Sequence, residues 1–277
     1  MGIDAHALNF LRYAAKKKTL GRVATMGRQS LMTKGVQASG GYCENFLMQE
    51  FGATRVDSYD YSDYESATHI VDMNRPLEMV EEYDTVVDCG TSEHIFDVSQ
   101  ALRNISRLGA TGAQIIHVLP ANNFCGHGFW QFSPELFFSL YSAGNGYKET
   151  EVFLADLGKD RSWFAVEQPK DGQRANVMSN SPLYVLCRTL KVSEVSEQTV
   201  QQSDYVFTWS HPRSTQRRIA LAEKAKIMIK KSAWAHRAAV SLKGRMQSTV
   251  HAFVGSTKLS KRNRHLKKIS VAKLLSR

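Results

Sequence analysis

Cysteine is scarce and scattered in this chain. The four residues, Cys43, Cys89, Cys125 and Cys187, form no CxxC pair, which argues against a zinc ribbon or a disulfide framework and for reduced thiols. No run of eighteen or more apolar residues occurs, so no stretch reads as a membrane-crossing helix. Residues 1–18 lack a long apolar core and a small-residue cleavage site, so a secretory leader is not expected. The expected location is the cytoplasm. No spacing of His, Cys, Asp and Glu reads as a metal site, and no internal repeat is present. Staples are not needed, because 277 residues of which 43% are hydrophobic can bury a full core.

Acidic residues are nearly missing from the C-terminal quarter. From His211 to Arg277 the chain holds 18 of its 36 Lys and Arg but one of its 26 acids, Glu223. That segment carries +17, against −7 for the first 210 residues. The expected division is a mildly acidic α/β body over 1–204 and a basic helical tail over 205–277. A tail of this charge attracts polyanions or an anionic membrane face. Each Lys or Arg near an anionic leaflet contributes about 1 kcal/mol, so the tail could hold the protein to the inner face of a membrane. Arg217 to Arg237 shows apolar residues on two sides with lysines between them. A helix is expected there, without strong amphipathicity.

The body reads as alternating strands and helices. Gly21 to Gly27 is a short apolar strand ending in glycine. Cys43 to Phe51 is helical and closed by Gly52, and Ala53–Asp60 and His69–Asp72 are strand-like segments ending in acids. The clearest signal is Tyr83 to Leu119. Thr85, Val86 and Val87 form a run suited to a strand buried on both faces. Asp97 with Gln100 makes a capping-box pattern before a helix whose apolar residues Val98, Ala101, Leu102, Ile105 and Leu108 share a face. Gly109 is expected as its terminating glycine, and Ile115–Leu119 as a second strand stopped by Pro120. Strand, helix and strand in under 40 residues make a βαβ crossover. A helix from Ser133 with Pro134 in its first turn, and strands at Glu149–Leu154, Trp163–Gln168 and Leu183–Leu190, complete the reading.

Asp60, Asp72 and Asp88 each close a strand-like segment. Open α/β sheets bind ligands outside the carboxyl ends of their strands, so these acids are candidates to line one crevice. The competing reading of each is a carboxylate that caps the next helix.

With TMGRQ at residues 25–29, GATRVDSYDYSDYESATHIVDMNRP, YDTVVDCGTSEHIFDVSQALRNISRL, GATGAQIIHVLPANNF and GHGFWQFSPELFF, the chain resembles class I methyltransferase-like proteins of bacterial glycan and surface-polysaccharide gene clusters. The resemblance covers Thr25 to Leu190, and GHGFWQFSPEL is its most specific part. It implies a Rossmann-like fold: a mostly parallel seven-stranded sheet with the last strand inserted antiparallel, helices on both faces, and S-adenosylmethionine as cofactor. Carried over by residue, it implies Gly27 near the methionine moiety; Arg28, read by itself, could meet the cofactor carboxylate or stand as a surface charge. Asp60 would hold the ribose, Asp72 with Met73 would meet the adenine, and Asp88 with Gly90 would line the fourth-strand end. One departure stands out: the family at large has a GxGxG loop after the first strand, and here the stretch reads ATMGRQSLM.

Amides and aromatics follow the fifth strand. Asn122, Asn123 and Gln131 could bond sugar hydroxyls, while Phe129 and Trp130 could pack against a sugar ring. His127, between Gly126 and Gly128, is the candidate general base, because imidazole titrates near neutral pH. His94 is the second candidate. The expected activity is O-methylation of a sugar in a cell-surface glycan or its precursor. A non-catalytic binding or scaffold protein of the same fold stays open. So does an RNA methyltransferase, favoured by the basic tail alone, though no nucleic-acid-binding signature is legible in the body. The oligomeric state is not legible either.

Overall fold

A computed structural model describes residues 2–32, 41–78, 82–195, 198–211 and 257–276. Its strands are β1 (Gly2–Ile3), β2 (Gly21–Met26), β3 (Ser30–Leu31), β4 (Ala53–Asp60), β5 (His69–Ile70), β6 (Tyr83–Cys89), β7 (Gly109–Asn122), β8 (Tyr147–Asp156), β9 (Ser162–Val166), β10 (Leu183–Lys191) and β11 (Leu266–Ser270). The helices are α1 (Ala5–Lys17), α2 (Glu44–Phe51), α3 (Val98–Leu108), α4 (Pro134–Leu140), α5 (Ser203–Ser210) and α6 (Val271–Ser276).

Nine strands form one sheet in the order β11-β9-β8-β10-β7-β6-β2-β4-β5. The half from β5 to β7 is parallel, whereas β10 runs antiparallel to both β7 and β8, and β9 and β11 continue antiparallel. The expected inserted antiparallel strand is therefore β10. A mostly parallel sheet of seven strands is not what forms: two further strands are added beyond β8, and the sheet is mixed. The reason lies in the connections. β8 and β9 are joined by a short turn through Gly158, which permits only antiparallel pairing.

Period-two geometry divides the core. Along β2, Val23 packs on one face and Ala24 on the other; Val87 and Val86 of β6, and Ile116 and Ile115 of β7, divide the same way. The first face is covered by α1, α2 and α6 and the second by α3 and α4, giving helices on both faces. These strands read as continuous apolar runs because both faces are buried.

Helix boundaries follow local chemistry. Asp97 caps α3, its carboxylate accepting from Gln100 N at 3.0 Å. Gly52 ends α2 with φ 68°, a conformation that favours glycine. Gly109 differs from the expectation: its φ is −77°, and it opens β7 directly. Pro120 does not stop β7 either. It sits opposite Tyr184, beside a register shift, beyond the last β6 partner, where its missing N–H costs no ladder bond on the β6 side. The first helix, α1, carried no expectation; Asp4 caps it through Ala7 N at 2.9 Å.

The C-terminal segment also differs from a wholly helical tail. Leu266–Ser270 pairs antiparallel with β9, and Leu266 and Val271 are buried in the body. Lys267 and Lys268 stay exposed on this outermost strand, where charge discourages edge-to-edge association. The expected helix over Arg217 to Arg237 lies outside the described residues. Among the described residues, no helix is long and apolar enough to cross a membrane.

Candidate functional site

Strand order reverses at β2, whose neighbours β4 and β6 lead to opposite sides of the sheet. The carboxyl ends of β2 and β6 therefore frame the crevice where open α/β sheets take ligands. Gly27 follows β2 with φ 67° and Gly90 follows β6 with φ 81°, so the backbone can be approached closely at both lips. Asp60, half-buried at the end of β4, accepts Tyr61 N at 2.7 Å and Arg28 N at 3.4 Å.

Between the lips, Gln29 Nε2 and Thr91 Oγ1 both donate to the Met26 carbonyl, at 2.6 Å each. Gln29 is fully buried, and its Oε1 has no hydrogen-bond partner. That acceptor is closed off from solvent, so Gln29 ties the two lips together and offers nothing to a ligand in this arrangement. The open backbone at Gly27 and Gly90 and the half-buried Asp60 carboxylate are what these strand ends offer S-adenosylmethionine.

Other expected cofactor residues are placed differently. Asp88 does not line the crevice: it is fully buried and accepts from Ser92 Oγ at 2.6 Å and from Thr91 N and Ser92 N at 3.2 Å. Its Oδ2 also lies 3.0 Å from His117 Nδ1, and His117 Nε2 lies 2.5 Å from the Tyr141 hydroxyl. A proton on Nδ1 satisfies the whole chain, with His117 donating to Asp88 and accepting from Tyr141. These buried groups tie β6, β7 and α4 together.

Arg28 is engaged as well. Its guanidinium donates to Glu44 at 2.7 Å and to the carbonyls of Glu65 and Ser66, and lies 4.1 Å from the Tyr42 ring centroid. It joins the loops after β2 and β4 instead of presenting a free charge. Met73 is buried in the core, its carbonyl held by Asn104 of α3 at 3.2 Å. Asp72 remains half-buried, held below the usual carboxylate range by hydrogen bonds from Asn74.

A second cluster forms from the turn after β6 and the loop after β7. Glu93 and His94 lie on a 3-10 turn, Ser92–His94. Phe129 N donates to the Glu93 carbonyl at 2.7 Å, drawing in the loop that carries His127. A Cβ at Gly128 would stand 2.8 Å from that same carbonyl oxygen, so only glycine permits the approach. Glu93 Oε1 then lies 3.3 Å from His127 Nε2 and 3.9 Å from His94 Nε2. The two imidazoles meet edge to face, centroids 4.9 Å apart.

Burial first, and the Asp88 carboxylate second, push the Glu93 carboxyl up to about 8. Burial and the His127 ring lower His94. Both expected histidines are thus together, and the residue that joins them, Glu93, was missed. Its signal was the SEH tripeptide directly after a strand end.

The amides expected to meet a sugar instead hold the loop. Asn123 Nδ2 donates to the carbonyls of Ser179 and Ser181 at 3.1 Å each, Asn122 Nδ2 to Ser179 Oγ at 3.4 Å, and Gln131 Oε1 accepts Phe124 N at 3.0 Å. The aromatics do face outward. Phe129 is 67% exposed and pairs edge to face with Phe96, itself 74% exposed. Trp130 is more than a third exposed and donates to the Ile95 carbonyl.

No family model matches the chain, and no curated protein matches it. Among solved structures, it is similar to a SAM-dependent methyltransferase from Thermotoga maritima, at 14% identity and TM-score 0.39, over 66% of this chain and 88% of that one. It is similar to the N-methyltransferase NodS from Bradyrhizobium japonicum, at 13% identity and TM-score 0.42, over 67% and 94%. A third is the 1,6-didemethyltoxoflavin-N1-methyltransferase of Burkholderia thailandensis, at 13% identity and TM-score 0.41, over 68% and 79%. Likenesses at this level say nothing of function.

Proposed function

We propose that the protein is an S-adenosylmethionine-dependent methyltransferase acting on a hydroxyl, with a sugar of a cell-surface glycan or its precursor as acceptor. The observation that carries this reading is the crevice at the β2/β6 reversal, with Gly27 and Gly90 at its lips and Asp60 on the neighbouring strand end. The antiparallel β10 between β7 and β8 supports it, since that insertion is what the sequence resemblance implies. Bound cofactor supplies an electrophilic methyl group. In this reading Asp60, half-buried at the end of β4, accepts the ribose hydroxyls.

The chain's remaining work is orientation and proton removal. In the cluster as it stands, His127 is the base: its ring is half exposed to an acceptor and backed by Glu93. The exposed rings of Phe96, Phe129 and Trp130 beside it suit the C–H face of a sugar.

Calorimetric titration with S-adenosylhomocysteine tests the reading. Binding is expected, and Asp60→Ala is expected to weaken it clearly. Absence of heat and of thermal shift at high ligand concentration would reject the cofactor. That result would favour the second reading, a binding protein of this fold, which the engaged Arg28 and the missing GxGxG loop favour. Docking on an anionic membrane face through the basic segment belongs to the same proposal, with nucleic acid the weaker alternative partner.

A further inference from the structure

Glu93, His94 and His127 come from two loops, yet each offers one ligating atom, and these atoms lie within 4.8 Å of one another. Two ligands on a tetrahedral ion, each about 2.0–2.1 Å from it, stand roughly 3.3–3.4 Å apart. The Glu93–His127 separation of 3.3 Å already has that spacing. His94 Nε2 lies 3.9 Å from the same oxygen on a part-exposed ring, so a rotation of that ring against His127 would close the remaining gap.

Independent of this spacing, Glu93 is itself out of place. Its side chain is 1% exposed, and Oε2 has no hydrogen-bond partner. A buried carboxyl with an unused oxygen is costly in its charged form, and a cation close to it is what lets it stand there as a carboxylate. The approach is also built in: the Gly128 contact and the Phe129 N–H bond to the Glu93 carbonyl hold the two loops together whatever the side chains do.

We propose that Glu93, His94 and His127 bind one divalent transition-metal ion of the zinc class. Imidazole and carboxylate together suit zinc, cobalt or nickel better than magnesium or calcium, which prefer all-oxygen cages. Three protein ligands leave a fourth position open, the pattern of catalytic and not structural zinc. The site stands on the cluster alone, whereas its use rests on the methyltransferase reading. An acceptor hydroxyl in the open position loses its proton to water at lower pH, so the ion takes over the work His127 does in the metal-free cluster.

The full-length chain, stripped with a chelator, is titrated with Co2+ and followed by visible absorption; Zn2+ is then added. One equivalent of Co2+ with visible bands that Zn2+ abolishes is expected. His94→Ala, His127→Ala and Glu93→Gln should each lower affinity at least as much as loss of an outer-sphere partner does, about 10- to 100-fold. His211→Ala and Cys125→Ser should leave the bands unchanged. Both imidazoles are part exposed, so the histidine variants should stay folded even if Glu93→Gln does not.

The proposal falls if no saturable equivalent binds, if folded His94→Ala and His127→Ala bind like wild type, or if Cys125→Ser abolishes binding. Titrating the same samples with S-adenosylhomocysteine separates the two readings. Metal binding without cofactor binding keeps the site and removes the methyltransferase, and the reverse result does the opposite.

Discussion

Glu93→Gln should change how stability depends on pH, and the sign can be worked from the fold. The folded-state carboxyl titrates at about 8, above its ordinary 4.5, because burial and Asp88 disfavour its charge. Between those values the folded chain holds a proton that the unfolded chain has lost. Each pH unit then removes about 1.4 kcal/mol of stability. This contribution is fully present below 4.5 and is lost as pH rises to about 8. Summed over the window, the slope gives a ceiling on the order of 5 kcal/mol. Glutamine keeps the shape without the charge, so the variant should gain on wild type steadily with pH. Urea unfolding of chelator-treated protein from pH 5 to 9 measures the difference. Parallel stability curves for the two proteins would refute the reasoning.

Removing residues 257–276 takes away β11 and α6 and exposes the β9 edge; burying Leu266 and Val271 is worth about 1.5–3 kcal/mol each, so a truncated chain should melt well below wild type in calorimetry, and an unchanged melting temperature would contradict the packing. His127→Ala should slow single turnover roughly 10²- to 10⁴-fold with cofactor affinity unchanged, whereas near-normal chemistry in a folded variant would end its role as base. The same substitution removes one of the groups lowering His94, so that ring's titration, followed by NMR, should move upward; burial keeps it from returning fully to 6.5. Gly128→Ala should loosen the whole cluster, because its Cβ meets the Glu93 backbone and φ is 68°; unaltered stability and Co2+ binding would show that the loop yields easily.

Local order was legible wherever a signal is short-ranged. The capping of α3 by Asp97, the glycine end of α2, the Pro134 start of α4 and the apolar runs of β6 and β7 follow from neighbours a few residues apart, and the α/β class follows from them. The placement of His94 and His127 at strand ends was legible for the same reason. What a charged or polar side chain does was not. Asp88 reads like Asp60, yet one is sealed under His117 and Ser92 while the other reaches the surface, because burial depends on which helix later covers the strand end. Arg28 reads as a free charge until Glu44 and the 65–66 carbonyls arrive from elsewhere. The tail's net charge was plain, but the pairing of Leu266–Ser270 with β9 joins residues a hundred positions apart, and no local pattern encodes that register. Glu93 shows the division most clearly: sequence fixes its neighbour His94, and only folding brings His127 across from another loop and withdraws the carboxylate from water.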